Sequence, residues 1–270
     1  MKTKTKKTNA QKIRTLLTFS NPKTQKNLKF GIATAILHLS PHKISGRNLC
    51  PCASEGCIAN CLNRAGNPIY QKGKDKARLE RSQFFINSEK EFFEQLKKEI
   101  VSFSWKAFEA GLTPSFRLNG TSDIPKVAFK MAREFPNFQF SDYTKILASL
   151  KNKNRPTNYH LTFSRSESNW SECLQAFKLG FNVAAVCDAD ISDSELREFL
   201  DLPGSVQIEN GDDDDATFLR DELQLIRLTP KGSMKKDVSG MRIRREMLEA
   251  KKTKSAISKF KMDKYWAILA

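Results

Sequence analysis

The chain of 270 residues carries 46 Lys or Arg against 30 Asp or Glu, a formal net charge of +16, with six cysteines and three histidines. Its length suits one sizeable α/β domain with extensions. No run approaches the roughly 20 apolar residues of a membrane span, and the lysine-rich start lacks the apolar segment of a secretory signal. A protein without a membrane partner, in a reducing cytoplasm, is therefore expected.

The charge is uneven. Residues 1–29 hold nine bases and no acid, residues 229–264 hold twelve bases and four acids, and the remainder has 25 against 26. Basic ends of this kind predict contact with DNA or RNA phosphates, weakening with salt. The domain reading is a basic arm over 1–29, one α/β domain over 30–230 with a cysteine-rich loop at 48–62, and a basic helical extension over 231–270.

After the basic start, Leu28–Pro41 reads as a first strand or hairpin arm closed by Ser-Pro. The loop "NLCPCASEGCIANCL" follows, with Cys50, Cys52, Cys57 and Cys61. From Lys76 to Ala110, phenylalanines and aliphatics recur at helical spacing, which predicts an amphipathic helix broken near Asn87 and Ser88 and ended by Gly111. Strand-like runs then begin at Ser115, Phe138, Tyr159, Val183, Val206 and Leu223, with helices predicted over Pro125–Phe135, Asn169–Leu179 and Ser192–Leu200. The βα spacing predicts a mostly parallel sheet, as a TIM-type or partial barrel.

In such a sheet, ligands sit outside the carboxyl ends of the strands, and there the polar residues gather. They are Asn119, Thr121, Ser122 and Asp123; Asp142 and Lys145; Ser164, Arg165, Glu167 and Asn169. Asp123, Asp142, Lys145, Arg165 and Glu167 are the candidate catalytic residues, and Asn119, Thr121, Ser122, Ser164 and Asn169 the candidate cofactor-binding ones. Asp123 and Asn169 also fit helix N-caps. The acidic run from Asp212 to Asp215 reads as a solvated turn, although Asp123, Asp142, Glu167 and Asp212 together would suit a two-metal nuclease. His38 and His42 flank the cysteine loop as further metal-ligand candidates, and His160 falls within a strand.

The cysteine spacing, C-x-C-x4-C-x3-C, does not match the paired C-x2-C of zinc ribbons. Cys50, Cys57 and Cys61, on a loop directly after the first strand, resemble in placement the loop by which radical S-adenosylmethionine enzymes hold a [4Fe–4S] cluster with one iron left open, and that likeness implies such a cluster with S-adenosylmethionine as cosubstrate. Zinc is the alternative metal, and buried apolar thiols are the metal-free reading. Cys52 is a fourth ligand or a bystander. Cys173 and Cys187 fall where core packing is expected.

The linked motifs "NLCPCASEGCIANCLNRAG", "FRLNGTSDI", "FQFSDYTK", "NYHLTFSRSESN" and "NVAAV" resemble the phage and plasmid proteins called gene product 88-like, across roughly Gly31 to Gly240. The resemblance implies a phage or mobile-element setting, hence a host-cell cytoplasm, and a motif set built on Cys50, Cys57, Cys61, Asn119, Asp123, Asp142, Lys145, Ser164, Arg165 and Glu167. It implies no activity. A looser architectural likeness is to radical S-adenosylmethionine enzymes, although their common C-x3-C-x2-C loop is missing. The reading is an iron–sulfur enzyme acting on a nucleic-acid-related substrate. Its rivals are a zinc-stabilised nucleic-acid-binding protein without catalysis and a divalent-metal nuclease.

Overall fold

A computed structural model describes residues 15–19, 22–64, 68–219 and 223–255. Its strands are β1 (Leu17–Thr18), β2 (Ile32–Leu37), β3 (Thr113–Arg117), β4 (Gln139–Thr144), β5 (Tyr159–Ser164), β6 (Val183–Cys187), β7 (Gln207–Asn210), β8 (Gln224–Leu228) and β9 (Arg242–Ile243). They form one nine-stranded sheet in the order β1-β2-β3-β4-β5-β6-β8-β7, with β9 pairing β6. Only β1, against β2, is antiparallel. The α/β class and the mostly parallel sheet are as expected. The sheet is open, running from β1 to β7, and β8 inserts between β6 and β7.

The helices are α1 (Pro22–Lys26), α2 (Glu55–Ala59), α3 (Gln71–Asn87), α4 (Glu89–Glu109), α5 (Pro125–Glu134), α6 (Leu147–Lys151), α7 (Trp170–Lys178) and α8 (Asp193–Leu200). The break expected at Asn87 and Ser88 separates α3 from α4, and Gly111, at φ 70°, turns the chain out of α4 into β3. Ser192 caps α8 reciprocally with Glu195. Neither Asp123 nor Asn169 caps a helix with its side chain, because both are bonded elsewhere.

Alternation along the strands divides the sheet into two chemically different faces. Phe116, Phe140, Leu161, Phe163, Ala185 and Leu225 join side chains of α4, α5, α7 and α8 in one apolar core. The intervening residues are polar and also buried: Thr34, Ser115, Ser141 and Thr162. On that polar side Thr34 bonds Ser115 at 2.9 Å, and Asn27 donates to Thr34 while accepting the Asp215 N–H at 2.9 Å. Arg117 forms an ion pair with Asp215 and lies over the Tyr143 ring, 5.0 Å from its centroid. The 212–215 run is therefore not a solvated turn: Asp214 and Asp215 are buried, and Asp212 accepts from Thr229 and Lys231. The guanidinium of Arg117 pulls the loop inward.

The described parts of both basic ends are held on the sheet. Residues 1–14 and 256–270 lie outside the described residues. Within the N-terminal arm, β1 is held by the Glu99 carboxylate of α4, which accepts the Leu16 and Leu17 N–H groups. In the C-terminal segment Val186 pairs with Leu228 of β8 and with Arg242 of β9. So β9 occupies the edge of β6 that β5 holds lower down, at Ser164↔Ala184. Residues 245–255 then form a helix. Arg242 pairs with Asp188, Arg245 with Asp190 and Glu195, and Lys251 donates to carbonyls at the end of α8.

Two predictions follow from the polar side. Asp215→Ala leaves Arg117 without its buried counter-ion and should cost about 3–5 kcal/mol in urea unfolding; a loss below about 1 kcal/mol would show that the pair stabilises nothing. His160, on the same face, has burial and then Arg155 pushing its pKa down to about 4. The unfolded chain binds this proton near pH 6.5, so stability is lost as pH falls from about 6.5 toward 4. Asp142 has the opposite sign: burial raises it to about 6, so the folded state takes up its proton first and gains stability over about pH 6 to 4. Melting temperatures between pH 7 and 5 should fall less steeply for His160→Gln and more steeply for Asp142→Asn than for the unaltered protein.

Candidate functional site

The cysteine loop lies across the carboxyl ends of β2 to β5. It closes on itself through the Leu49 N–H to the His42 carbonyl, 3.0 Å, and joins the β3 end through the Asp123 N–H to the Leu49 carbonyl, 2.8 Å. His42 has φ 48°, a left-handed conformation that a non-glycine residue adopts only under constraint. Its N–H is directed at the Cys50 sulfur, 3.3 Å away. The Cys50 thiol in turn faces the Thr121 carbonyl at 3.8 Å, and Thr121 is fixed by its hydroxyl bond to the Leu39 carbonyl, 2.6 Å.

Cys57 sits in α2, whose start is held from across the sheet. Ser54 caps it by accepting the Cys57 N–H at 3.2 Å. Glu167, beyond β5, takes the Ser54 hydroxyl at 2.8 Å and the Gly56 N–H at 2.8 Å. Despite partial burial, these bonds hold its carboxyl below the usual range. Cys61 follows, and its sulfur accepts the Asn63 N–H at 3.5 Å. Asn63 is buried and bonded by Arg78 and to Asp75, which fixes the turn that aims this N–H.

Burial pushes the Cys50 thiol up to about 11, with Cys61, Asp123 and Cys57 adding to it. Cys61 is raised by the same desolvation and by Cys57, against Arg78 and Lys145. The three thiols thus share one electrostatic neighbourhood. Cys52 is exposed. Among the described residues, no group of three or more His, Cys, Asp or Glu is disposed to hold a metal ion. His38 lies near the loop with Nδ1 buried and unpartnered; burial, then Arg78 and Arg117, push it down to about 3.

The candidate catalytic carboxylates do not converge. Asp142 shares a face with Phe140 on the helix side and is fully engaged there, accepting from Asn119 N, Asn119 Nδ2 and Tyr159 OH at 2.8–3.0 Å. Asp123 accepts from Thr144 and the Lys145 N–H, joining the ends of β3 and β4. Glu167 holds α2, and Asp212 belongs to the β8 end. Asn119 and Asn169 play equivalent parts after β3 and β5: each folds its own loop, Asn119 by accepting from Ile124 N and Ser122, Asn169 by bonding Ser166 N and the Ser164 carbonyl. Arg165 is buried and donates to the carbonyls of Gly240 and Met241, leaving Nε unpartnered. Lys145 differs from all of these. The residue is half-buried and enters no ion pair among the described residues, and its positive charge acts on Cys61, Cys173 and Asp123.

Three residues went unnoticed in the sequence. Asp237 accepts from Asn60 of the cysteine loop at 2.7 Å, from Ser239, and from the Arg242 N–H. Ser239 and Glu167 crowd Gly56, where an added Cβ would lie 2.3 Å from Ser239 Oγ and 2.8 Å from Glu167 Oε2. The segment 237–243 is thus a strap binding α2 to the sheet. The one sequence signal was "DVSG", an Asp-x-Ser pattern typical of a local turn.

Gly56→Ala must displace the Ser239 or Glu167 side chain. It should cost about 1–3 kcal/mol and speed alkylation of Cys57. Ser239→Gly, added to Gly56→Ala, should restore part of both. Equal effects with and without Ser239 would show that the strap does not press on α2.

No helix among the described residues is long and apolar enough to cross a membrane. No curated protein and no solved structure matches the chain significantly. The family described as gene product 88 matches residues 3–246, a span that contains every motif, strand and strap residue above, and the chain belongs to that family.

Proposed function

We propose that this protein is an iron–sulfur enzyme of the radical S-adenosylmethionine kind, with Cys50, Cys57 and Cys61 as cluster ligands, acting on a nucleic-acid-related substrate. The observation that carries the reading is the pair of backbone N–H groups, from His42 and Asn63, directed at the Cys50 and Cys61 sulfurs. Such bonds favour the thiolate and tune cluster potentials. A buried thiol serving only as a small apolar group has no use for them.

The donor set fits. Three thiols of one loop at the carboxyl ends of the strands, two of them met by backbone N–H groups, are the number of protein ligands that a [4Fe–4S] cluster with one open iron takes, whereas a closed structural zinc site takes four. Sequential parallel neighbours from β2 to β6 support the likeness to a partial barrel with its site at the carboxyl ends. When bound, the cluster supplies one electron to a cosubstrate. The chain's own residues do the rest. Cys50 and Cys61, protonated at neutral pH, give up their protons on loading, so affinity rises with pH. Lys145 supplies a cation for an anionic group of the cosubstrate. Asn119, Asp123, Asp142 and Asn169 set the loops from behind. The scattered carboxylates lend no support to a two-metal nuclease.

Anaerobic loading with iron and sulfide, followed by visible absorption and metal analysis, tests this. The unaltered protein and Cys52→Ser should carry iron and sulfide, while Cys50→Ser, Cys57→Ser and Cys61→Ser should each lose most of it. Lys145→Ala should keep the cluster and lose reductive cleavage of S-adenosylmethionine. A colourless protein holding stoichiometric zinc, or a cluster dependent on Cys52, would overturn the assignment.

A further inference from the structure

Several bases of the C-terminal segment are already satisfied within the chain. In the C-terminal segment Arg242, Arg245, Lys231 and Lys251 are bonded to carboxylates or carbonyls of the same chain. Around the cysteine loop the opposite holds: Lys43, Arg47, Arg64 and Lys72 are exposed and enter no ion pair or side-chain hydrogen bond among the described residues. Two of their segments meet at one cleft of about 370 Å³, where Ile44 and Ser40 face Asn63, Arg64, Gln71 and Asp75. Lys43 adjoins Ile44, and Lys72 adjoins Gln71.

The cleft also has an apolar edge. Ile44, Leu62, Ile69 and Tyr70 are 58%, 60%, 82% and 67% exposed. Ile44 lines the opening, Leu62 and Tyr70 adjoin the lining residues Asn63 and Gln71 in sequence, and Tyr70 leads directly into the first turn of α3. The floor is rigid: Asn63 is bonded to Asp75 at 2.9 Å and by Arg78, and Gln71 donates to both Asn63 and Asp75 at 2.8 Å. Cys61 lies one residue beyond Leu62, its sulfur on the Asn63 N–H.

Unpaired cations beside an exposed ring and aliphatic side chains are the combination that holds single-stranded nucleic acid: the cations follow the phosphates and the ring stacks a base. Duplex DNA needs the cations alone, because its bases are already stacked. We infer that the cleft bounded by Ile44, Arg64 and Gln71, with the exposed Tyr70 adjoining Gln71, is a binding surface for single-stranded nucleic acid, which delivers a nucleotide to the cysteine face. This names the substrate class within the reading proposed above. It transfers the role from the basic ends to the cysteine loop.

The test uses the full chain purified without iron, so that failure of the cluster and failure of this surface are read separately. Fluorescence anisotropy with a labelled mixed-sequence 12-nucleotide DNA or RNA strand is measured over a range of salt. The combined substitution Lys43→Gln, Arg47→Gln, Arg64→Gln and Lys72→Gln should weaken binding tenfold or more at low salt and reduce the slope of log affinity on log salt by about 2 to 3, from roughly 0.7 per phosphate contact. Tyr70→Ala should weaken binding several-fold without changing the slope. A control replacing Lys90, Lys98, Lys106 and Lys178, equal in charge but distant in sequence, should change little. Unaltered melting temperatures establish that the variants fold. Four outcomes would overturn the inference: equal loss in the control, loss only when residues 2–14 are deleted, equal affinity for duplex with no effect of Tyr70→Ala, or binding to anionic vesicles in preference to the oligonucleotide.

Discussion

The Glu167 carboxylate joins two parts of the chain that have no other reason to meet. It stands beyond β5 and receives the Ser54 hydroxyl and the Gly56 N–H, both at 2.8 Å, at the start of the helix that carries Cys57. A charged acceptor makes each of these bonds stronger than a neutral one, and the helix dipole at α2 acts in the same direction. A five-residue helix is too short to persist alone in water. The position of Cys57 relative to Cys50 and Cys61 therefore rests on a side chain more than a hundred residues away. The same carboxylate and Ser239 Oγ crowd Gly56, where an added Cβ would force one of the two side chains to move.

The strap completes this arrangement from the other direction. Asp237 binds Asn60 and the Arg242 N–H, and Arg165 holds the Gly240 and Met241 carbonyls, so β9 is drawn into the edge of β6 that β5 has left. Arg242 and Arg245 then find Asp188, Asp190 and Glu195. Some of the bases that in the sequence suggested an arm for phosphates are thus paired with the sheet's own carboxylates. Net charge described the solution behaviour of the segment and missed its partners, since pairing depends on residues some fifty positions apart.

Which parts were legible follows from the range of the interactions that decide them. The βα order, the break at Asn87 and Ser88 and the stop at Gly111 depend on local periodicity and local backbone preference, and the sequence carries both. Strands β1 and β9, two residues each, have no period to detect and exist through partners supplied by β2 and β6. The Asp212–Asp215 run was misleading because Arg117, far upstream, pairs with Asp215. Asp142 was partly readable: in "FQFSDYT" it alternates with Phe140, which assigns it to the helix side, away from any ligand. Whether a strand-end Asn binds a cofactor or folds its own loop is a question of side-chain direction, and residue type cannot answer it.

Desolvation gives the site its chemical bias. The parallel sheet buries one face in phenylalanine and aliphatic side chains, and closes the other with hydrogen-bonded polar pairs and the Arg117–Asp215 ion pair. The buried cation Arg117 is paired, while Lys145 at the carboxyl end and the exposed bases around the cysteine loop enter no ion pair among the described residues. Burial there keeps Cys50 and Cys61 as thiols, while the backbone donors of His42 and Asn63 are already turned toward their sulfurs. Proton loss from these thiols is costly until something positive joins them, and inexpensive once it has.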